Sequence, residues 1–510
     1  MTMRFKITFL ILILLSSLLP GMNRTTHAAD LGLEKLLMIF QEKGVITAEE
    51  AQLVKEAMAE EQRQLLEKEQ ALDQREKRLT TWEEDLTKKE RALAAEKGPE
   101  VQGEETKIPL EATYRDGFCL QTDEPERFSL CLGGLLQADY RYFDYGEEDP
   151  NKNEFDIRRA RLGIQGQAFR YFDYKFEYEF QGAGSRNLLD AYVDAYVFPF
   201  ASFRIGQFKE PFSLEHLTLD RLGFFAERSM GYYLTPGRDV GLMAHASLWS
   251  DRINYGVGIF NGDGMDDAPG GRADTPEFAG RLVLSPFKNT GISWLEDLQG
   301  GGSFSYADID QNNVEIHAKT TGLTPFFDVS SGAKFNIIRE ADTRSRYGAD
   351  VAWAWGPFAV AAESTYVLFD DITTSADRFD FELEDNYASL LWMVTGEEPT
   401  LKNGVFQPIK PKRSVWEGGW GGVGLAFRYD SFEADKIAYD VMVYEGESVR
   451  EAVAYTIALN WYLAPSVRMV LDATRTDFDR PLLIDRDPLT GEAVYSDRED
   501  VITGRFQFGF

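Results

Sequence analysis

The chain lacks a long, uncharged apolar segment anywhere beyond residue 20. A spanning helix needs about 20 consecutive apolar residues, so this absence excludes a protein that crosses a membrane several times with helices. The apolar run at residues 9–19 follows Arg4 and Lys6 and precedes the small residues Ala28 and Ala29, which predicts a secretory signal over residues 1–29. Any later insertion would have to use strands, because only helices and closed barrels satisfy every backbone group in lipid.

Histidine is also scarce, and acidic residues outnumber basic ones. The four histidines stand at positions 27, 216, 245 and 317, and no Ser-His-Asp or His-Glu-x-x-His arrangement is visible. The sequence therefore argues against an enzyme and predicts no catalytic residue and no cofactor. Asp and Glu number 84 against 54 Lys and Arg, a formal net charge of −30, whereas nucleic-acid binding needs clustered basic residues.

Only two cysteines occur, Cys119 and Cys131, placed symmetrically about Pro125. If the chain forms a hairpin there, the two side chains face each other across its strands. An exported protein meets an oxidising environment, so a disulfide is one interpretation, although the pairing needs suitable geometry. Two cysteines without a nearby histidine provide too few ligands for a metal site.

The region before residue 118 has helical patterns. Apolar residues recur at helical spacing around Leu36, and Thr47 with Glu50 forms a capping box, which predicts a helical hairpin over residues 30–59. Leucines then recur every seven residues from Leu65 to Leu93, which predicts a heptad segment over residues 60–97. This segment is either a coiled coil of several chains or a solvated single helix. A polar linker is expected over residues 98–117.

From residue 118 the periodicity changes from 3.6 to 2, which is typical of strands. Sixteen strands are predicted, at 128–142, 154–168, 172–182, 188–198, 202–208, 239–249, 253–261, 278–287, 298–308, 345–355, 358–369, 384–396, 420–430, 452–463, 466–478 and 499–510. Many connections alternate between tight turns and long polar loops, although 288–297 and 397–419 are longer than a tight turn. An even number of strands with short turns on one rim and long loops on the other is typical of an outer-membrane barrel.

The strands are two-faced. In residues 172–180 every aromatic side chain points one way and every charge the other, and in residues 501–510 Phe506, Phe508 and Phe510 oppose Arg505 and Gln507. We therefore expect an all-β transmembrane barrel over residues 118–510, with the last strand pairing with the strand near residue 128 and its phenylalanines facing lipid. A large soluble β-protein is the alternative, since soluble antiparallel sheets also alternate.

Side-chain parity assigns a set of basic residues to the lumen of such a barrel. They are Arg159, Arg161, Lys175, Arg204, Arg281, Arg428, Arg468 and Arg505. Arginine suits phosphate or carboxylate, because its fork donates two parallel hydrogen bonds. Alternatively these arginines only pair with lumen carboxylates and stiffen the wall. Parity places Arg158 on the opposite face from Arg159 unless the strand bulges between them.

The longest early loop runs from Lys209 to Arg238 and mixes basic residues with acidic ones. It narrows the channel if it folds inward, and only protects the rim if it covers the outside.

Several motifs in this order resemble the phosphate-selective porin O/P family. They occupy residues 155–163, 173–178, 190–193, 204–212, 227–229, 403–412 and 459–463. The resemblance covers about residues 128–510 and implies a sixteen-stranded, usually trimeric barrel with a loop folded into an arginine-lined pore. It also implies that helices precede the barrel and that a terminal phenylalanine serves as an assembly signal.

The family pattern carries over to four residues of this chain. The Arg-Arg pair matches Arg158 and Arg159, the Glu-Arg motif of the loop matches Arg228, and the acidic residue near the pore centre matches Asp190. Where phosphate-specific members have a basic residue after Gly-Gly, this chain has Leu135. The resemblance therefore implies a porin without implying phosphate specificity.

Two hypotheses of function follow. The first is a passive diffusion channel of the outer membrane for small solutes, preferring anions such as phosphate. The second is a structural barrel, in contact with outer-membrane lipid, whose periplasmic helical stalk tethers the membrane to the cell wall.

Overall fold

The computed structural model divides the chain into two compact units, Met1–Lys107 and Ile108–Phe510. It describes residues 110–510 except for 115–116, 123–127, 146–152, 182–186, 263–275, 310–313, 315, 330–337, 375–376, 444–445 and 487–492, and five single residues before them. The expected signal segment, helical hairpin and heptad segment lie outside the described residues.

Sixteen antiparallel strands form the wall of a closed barrel, and each overlaps one of the sixteen predicted strands. They are β3 (Phe128–Asp144), β4 (Glu154–Ala168), β5 (Phe172–Glu179), β6 (Leu188–Phe198), β7 (Ala201–Lys209), β8 (Arg238–Leu248), β9 (Ile253–Phe260), β10 (Glu277–Leu284), β11 (Gln299–Asp308), β15 (Thr343–Trp355), β16 (Phe358–Thr374), β17 (Arg378–Met393), β20 (Gly422–Ala434), β21 (Glu451–Ala464), β22 (Val467–Arg486) and β23 (Ala493–Gly509). Each strand pairs with the next along this order.

Strand β23 closes the barrel by pairing with β3 from Asp500–Asp144 to Gly509–Leu135. The faces of β23 confirm the expected orientation, because Phe506 is 42% exposed on the outside whereas Arg505 is 2% exposed on the inside. An apolar exterior around a charged interior is the reverse of a soluble β-protein and is the arrangement of a barrel in lipid. The soluble alternative is therefore wrong.

A short hairpin precedes the wall, formed by β1 (Leu110–Tyr114) and β2 (Phe118–Thr122). Strand β1 corrects the expectation that the linker extends to residue 117, because residues 110–114 pair with β2 instead of remaining irregular. Strand β2 pairs with the start of β3, where Cys119 lies directly opposite Cys131. The two cysteines form a disulfide that joins the hairpin to the wall.

The remaining elements are short and lie in the connections. They are the strands β12 (Ile316–Lys319), β13 (Pro325–Val329), β14 (Ile338–Glu340), β18 (Leu401–Lys402) and β19 (Val405–Phe406), the helices α1 (Leu214–Leu217) and α2 (Lys436–Met442), and the 3₁₀ helices Met230–Leu234 and Val415–Glu417. In the part of the chain that the structure describes, no helix has the length and apolarity to span a bilayer.

The two rims differ as expected. One rim, the short-turn rim, carries tight turns at 169–171, 199–200, 249–252, 356–357 and 465–466, together with two longer segments, 285–298 and 394–421. The opposite, long-loop rim carries the connections at 210–237, 309–342 and 435–450. An exception is the connection between β16 and β17, residues 375–377, which is short where the sequence predicts a long loop over residues 370–383. In outer-membrane barrels the short turns face the periplasm and the long loops face the cell exterior.

The assignment of the outer face to lipid predicts how a charge placed on that face changes the stability of the barrel. Ile457 lies at the middle of β21 and is 61% exposed on the outside. Ile457→Arg should lower the free energy of unfolding by about 2–4 kcal/mol, because a charge near the bilayer midplane is costly. Denaturant titration in liposomes measures the change. Ile292→Arg is the matched control, since Ile292 is exposed in segment 285–298, outside the wall strands. Equal effects of the two substitutions would contradict the assignment of the outer face.

Candidate functional site: the lumen constriction

Residues 210–237, here called the lumen loop, leave β7 and fold into the barrel. At the first turn the Ser213 hydroxyl accepts a hydrogen bond from His216 N at 3.0 Å. The Lys209 ammonium donates to the carbonyl oxygens of His216 and Thr218, which holds this turn against the strand that precedes it. The loop therefore folds inward and does not cover the rim.

The far part of the lumen loop is bonded to the opposite wall. Ala226 N donates to Asp472 Oδ2 at 2.6 Å, and Met230 N donates to Asp430 Oδ2 at 2.9 Å. Gly231 lies so close to the wall that an added side chain would collide with the carboxylate of Asp385. Three wall arginines donate to loop carbonyl oxygens: Arg428 to Glu227 O at 3.1 Å, Arg468 to Gly223 O at 2.7 Å, and Arg505 to Ala226 O. The loop thus crosses the lumen and is fixed at both sides.

Two further segments enter the lumen and meet the lumen loop. From the long-loop rim, the β12–β13 hairpin buries Phe326 and Phe327 in one apolar cluster with Met230. From the short-turn rim, segment 394–421 places the Phe406 ring 4.8 Å from the Phe224 ring, centroid to centroid. The sequence indicated only that segment 397–419 is unusually long. Together these segments narrow the lumen.

Around the described residues, the remaining space includes three cavities that share lining residues. The mouth cavity, about 810 Å³, lies between the long loops and is lined by residues that include Leu323 and Glu447. The arginine cavity, about 120 Å³, shares Leu323 with the mouth cavity. The exit cavity, about 110 Å³, shares Arg161, Asp220 and Arg238 with the arginine cavity. The shared residues place the three cavities next to one another along the β3–β5 side of the barrel.

The arginine cavity carries an excess of positive charge. Its charged lining consists of Arg158, Arg159, Arg161, Arg228, Arg238, Asp220 and Glu227, so five guanidinium groups face two carboxylates. Arginine remains charged in proteins and presents several donors in a fixed plane. The cavity is therefore suited to attract small anions.

A bulge in β4 resolves the conflict between Arg158 and Arg159. Gln137 pairs with Arg159, but the next residue of β3, Ala138, pairs with Ile157, so that Arg158 is the extra residue. A bulge re-aims one side chain, and both arginines consequently line the arginine cavity.

Asp220 of the lumen loop lies among three arginines. Its carboxylate is 3.3 Å from Arg159, 2.5 Å from Arg161 and 3.1 Å from Arg228. Burial opposes ionisation of this carboxyl, but the three arginines outweigh that cost and hold the pKa of Asp220 well below its usual range. Asp220 therefore stays ionised at neutral pH.

Glu227 binds a second group of arginines and anchors the loop. Arg158 donates two hydrogen bonds to its carboxylate, at 2.8 and 3.1 Å, and Arg505 of β23 donates a third at 2.5 Å. Burial again opposes ionisation, yet Arg158 and Arg505 hold the pKa of Glu227 well below its usual range. The carboxylate thus joins strands β4 and β23 to the loop between them.

The residues assigned to the pore from the sequence fall into three groups. Arg158, Arg159, Arg161, Arg228 and Lys175 line the arginine or exit cavity, and Asp190 binds Lys175 at 2.6 Å. Lys209, Arg428, Arg468 and Arg505 hold the lumen loop. Arg204 pairs with Asp194 and Arg281 with Asp350, both on the wall and outside the three cavities.

Two basic cavity residues were not among the residues assigned to the pore. Arg221 and Arg238 line the exit cavity, and Arg238 Nε donates to Asp190 at 2.9 Å. Alternation along β8 would place Arg238 on the outer face with Val240, but as the first residue of the strand it turns inward to its carboxylate partner. Local periodicity therefore contains no signal for it.

A closed sixteen-stranded barrel with an apolar exterior, an inward loop and a charged lumen defines the porin class of outer-membrane channels. The motifs of the wall narrow this assignment. The chain belongs to the family of phosphate-selective porins O and P, because the model of that family matches residues 128–510. The protein is thus an outer-membrane porin.

The sequence identity to individual relatives is low. The chain is 26% identical to Porin O of Pseudomonas aeruginosa over 389 residues, which is 70% of this chain and 84% of that protein. Among solved structures it is similar to an anion-selective porin from Comamonas acidovorans, with 10% identity, a TM-score of 0.47, and coverage of 75% of this chain and 100% of the other. The channel DcaP of Acinetobacter baumannii gives 11% identity, a TM-score of 0.45, and coverage of 76% and 99%.

The anchoring role of Glu227 predicts a change in channel behaviour. Glu227→Gln should loosen the lumen loop, because it leaves Arg158 beside a neutral partner and removes one of the two carboxylates that Arg505 binds. Breaking a buried ion pair costs about 3–5 kcal/mol. Single-channel recording should show a larger conductance with more open-channel noise than in the unmodified protein. The control is Asp350→Asn, which breaks a buried pair between wall strands and should leave the noise unchanged. Quiet, unaltered currents in Glu227→Gln would show that Glu227 does not anchor the loop.

Proposed function

We propose that this porin is a passive diffusion channel that prefers small anions. One observation carries the proposal: the arginine cavity brings five guanidinium groups and two carboxylates around about 120 Å³ of space. A pore selects by its diameter and by the charged groups that replace water around the solute. The excess of fixed positive charge favours anions over cations in this cavity.

The preference is for anions in general, and phosphate is one of them. Arg428, Arg468 and Arg505 bind the lumen loop, and Arg204 and Arg281 bind wall carboxylates, all outside the three cavities. The basic residues that a solute meets are therefore those that line the arginine and exit cavities. The exit cavity is lined by Leu135, which pairs with Arg161 across β3 and β4. An apolar side chain at this position supplies no donor for a phosphate oxygen. This supports a channel for several small anions instead of one specific for phosphate.

The basic residues then have separate roles in the proposal. Arg158, Arg159, Arg161, Arg228 and Arg238 attract the anion, and Lys175 with Arg221 continues the positive lining into the exit cavity. Arg428, Arg468 and Arg505 act indirectly, because they hold the lumen loop in the position that shapes the cavities.

The arrangement of the remaining chain is also proposed. Residues 1–29 serve as a signal for export, residues 30–59 form a helical hairpin, and residues 60–97 form a heptad segment in the periplasm. The entry of the chain at the short-turn rim through β1 and β2 supports the periplasmic side, since short turns face the periplasm. The resemblance to the family supports assembly as a trimer.

Ion selectivity tests the proposed function directly. In planar bilayers with unequal concentrations of potassium chloride on the two sides, the reversal potential should show that chloride permeates more readily than potassium. Potassium phosphate should give the same sign, because the arginine cavity attracts both anions. A reversal potential of the opposite sign, indicating cation preference, would overturn the proposal.

If the arginine cavity sets the ion selectivity, removing a charge inside it should change the selectivity more than removing a charge elsewhere in the lumen. Arg161→Ala should lower the anion-to-cation permeability ratio several-fold, because Arg161 borders both the arginine and the exit cavity. Arg204→Ala is the matched control, since Arg204 pairs with Asp194 outside the cavities and its loss should change the ratio little. An equal fall in both variants would indicate that total lumen charge, and not this cavity, sets the selectivity.

A further inference from the structure

The carboxylate of Asp220 stands where three arginines converge. Arg159 and Arg161 reach it from β4, and Arg228 reaches it from the far part of the lumen loop. Arg161 approaches one carboxylate oxygen, and the other two arginines approach the second. The Asp220 side chain is only 4% exposed, so little water screens these contacts. Guanidinium groups placed around one small oxyanion in this way form an anion-binding site.

This site lies on the solute route. Asp220 lines both the arginine cavity and the exit cavity, together with Arg161 and Arg238. Glu227 contacts arginines too, but it lines only the arginine cavity of these two and bridges β4 to β23. Asp220 therefore lies at the boundary between the two cavities, on the route proposed for the solute.

The wall itself does not depend on Asp220. Arg161 keeps a second carboxylate partner, Glu179, at 2.7 Å, and Arg159 keeps a hydrogen bond to Gln137 at 2.7 Å. Arg228 also donates to Thr218 O at 2.9 Å. Each arginine is thus held in position by a partner besides Asp220, and the three groups should remain together when the Asp220 charge is removed.

We propose that Asp220 acts as a tethered anion: its carboxylate fills an oxyanion site formed by Arg159, Arg161 and Arg228, and thereby keeps the affinity of the channel for solute oxyanions low. This deepens the proposed function and rests on it. A free phosphate must displace a carboxylate that is held at high effective concentration, which lowers its apparent affinity. Weak binding favours conduction, because a solute that binds weakly also leaves the site rapidly.

Asp220→Asn and Asp220→Ser test the proposal. Each empties the site of its negative charge, and inorganic phosphate should then bind there and block the chloride current. We expect the phosphate concentration that blocks half of the chloride current to fall at least about tenfold relative to the unmodified channel. Tenfold is the factor for a site that its tethered carboxylate fills for about nine-tenths of the time. Asp220→Glu, which retains a carboxylate on the loop, should keep the half-blocking concentration high.

Asp194→Asn is the matched charge control. It removes one carboxylate from the lumen wall beside Arg204, outside the three cavities, and should leave the phosphate block unchanged. Migration of the unheated barrel on a denaturing gel shows that every variant is folded. An unchanged half-blocking concentration in folded Asp220→Asn and Asp220→Ser would overturn the proposal, and so would an equal fall in Asp194→Asn.

The reversal potential of the same channels separates this inference from the proposed function. Cation preference in the unmodified protein would remove the proposed function and the inference with it. Anion preference together with unaltered phosphate block in the Asp220 variants would overturn the inference alone.

Discussion

The structure depends on one constraint, the need to pair every backbone polar group in a medium that offers no hydrogen bonds. Sixteen strands meet it by forming a closed sheet, and closure occurs where β23 pairs with β3. A closed sheet has one face in lipid and one face in the lumen, so apolar and polar side chains must alternate. The apolar exterior and the charged interior both follow from this requirement.

The charged side chains that face the lumen must then pair with one another. A buried charge needs a partner, and the partners here come from both the wall and the lumen loop. Glu227 shows the consequence, because it binds Arg158 on one side and Arg505 on the other and so fixes the loop between two strands. Arg428, Arg468 and Arg505, which hold the loop, lie outside the three cavities, so a solute meets the basic residues of the arginine and exit cavities instead.

The sequence predicted the wall well because a period of two is a local property. Each predicted strand is present, and the orientation of Arg505 and Phe506 follows from alternation alone. The sequence could not decide whether β4 bulges at Arg158, because a bulge depends on the register between β4 and β3. The sequence did not predict β1, because its residues, among them the exposed Leu110 and Tyr114, lie within the predicted polar linker.

The constriction could not be predicted to the same degree. The contact between Ala226 N and Asp472 joins residues 246 positions apart, and no local pattern encodes it. The same holds for the entry of segment 394–421, where Phe406 meets Phe224 across the lumen. Arg238 faces inward against the alternation of its own strand. Long-range pairing, and not periodicity, thus decides which arginines line the route and which only hold the loop.

The proposed route of anions runs through the arginine cavity on the β3–β5 side of the barrel. Anomalous diffraction from crystals soaked in bromide tests it most directly, because bromide is a small anion that reports its own position. Bromide peaks beside Arg161 and Arg238 are the predicted result. Bromide peaks elsewhere in the lumen, with none in the arginine or exit cavity, would contradict the account.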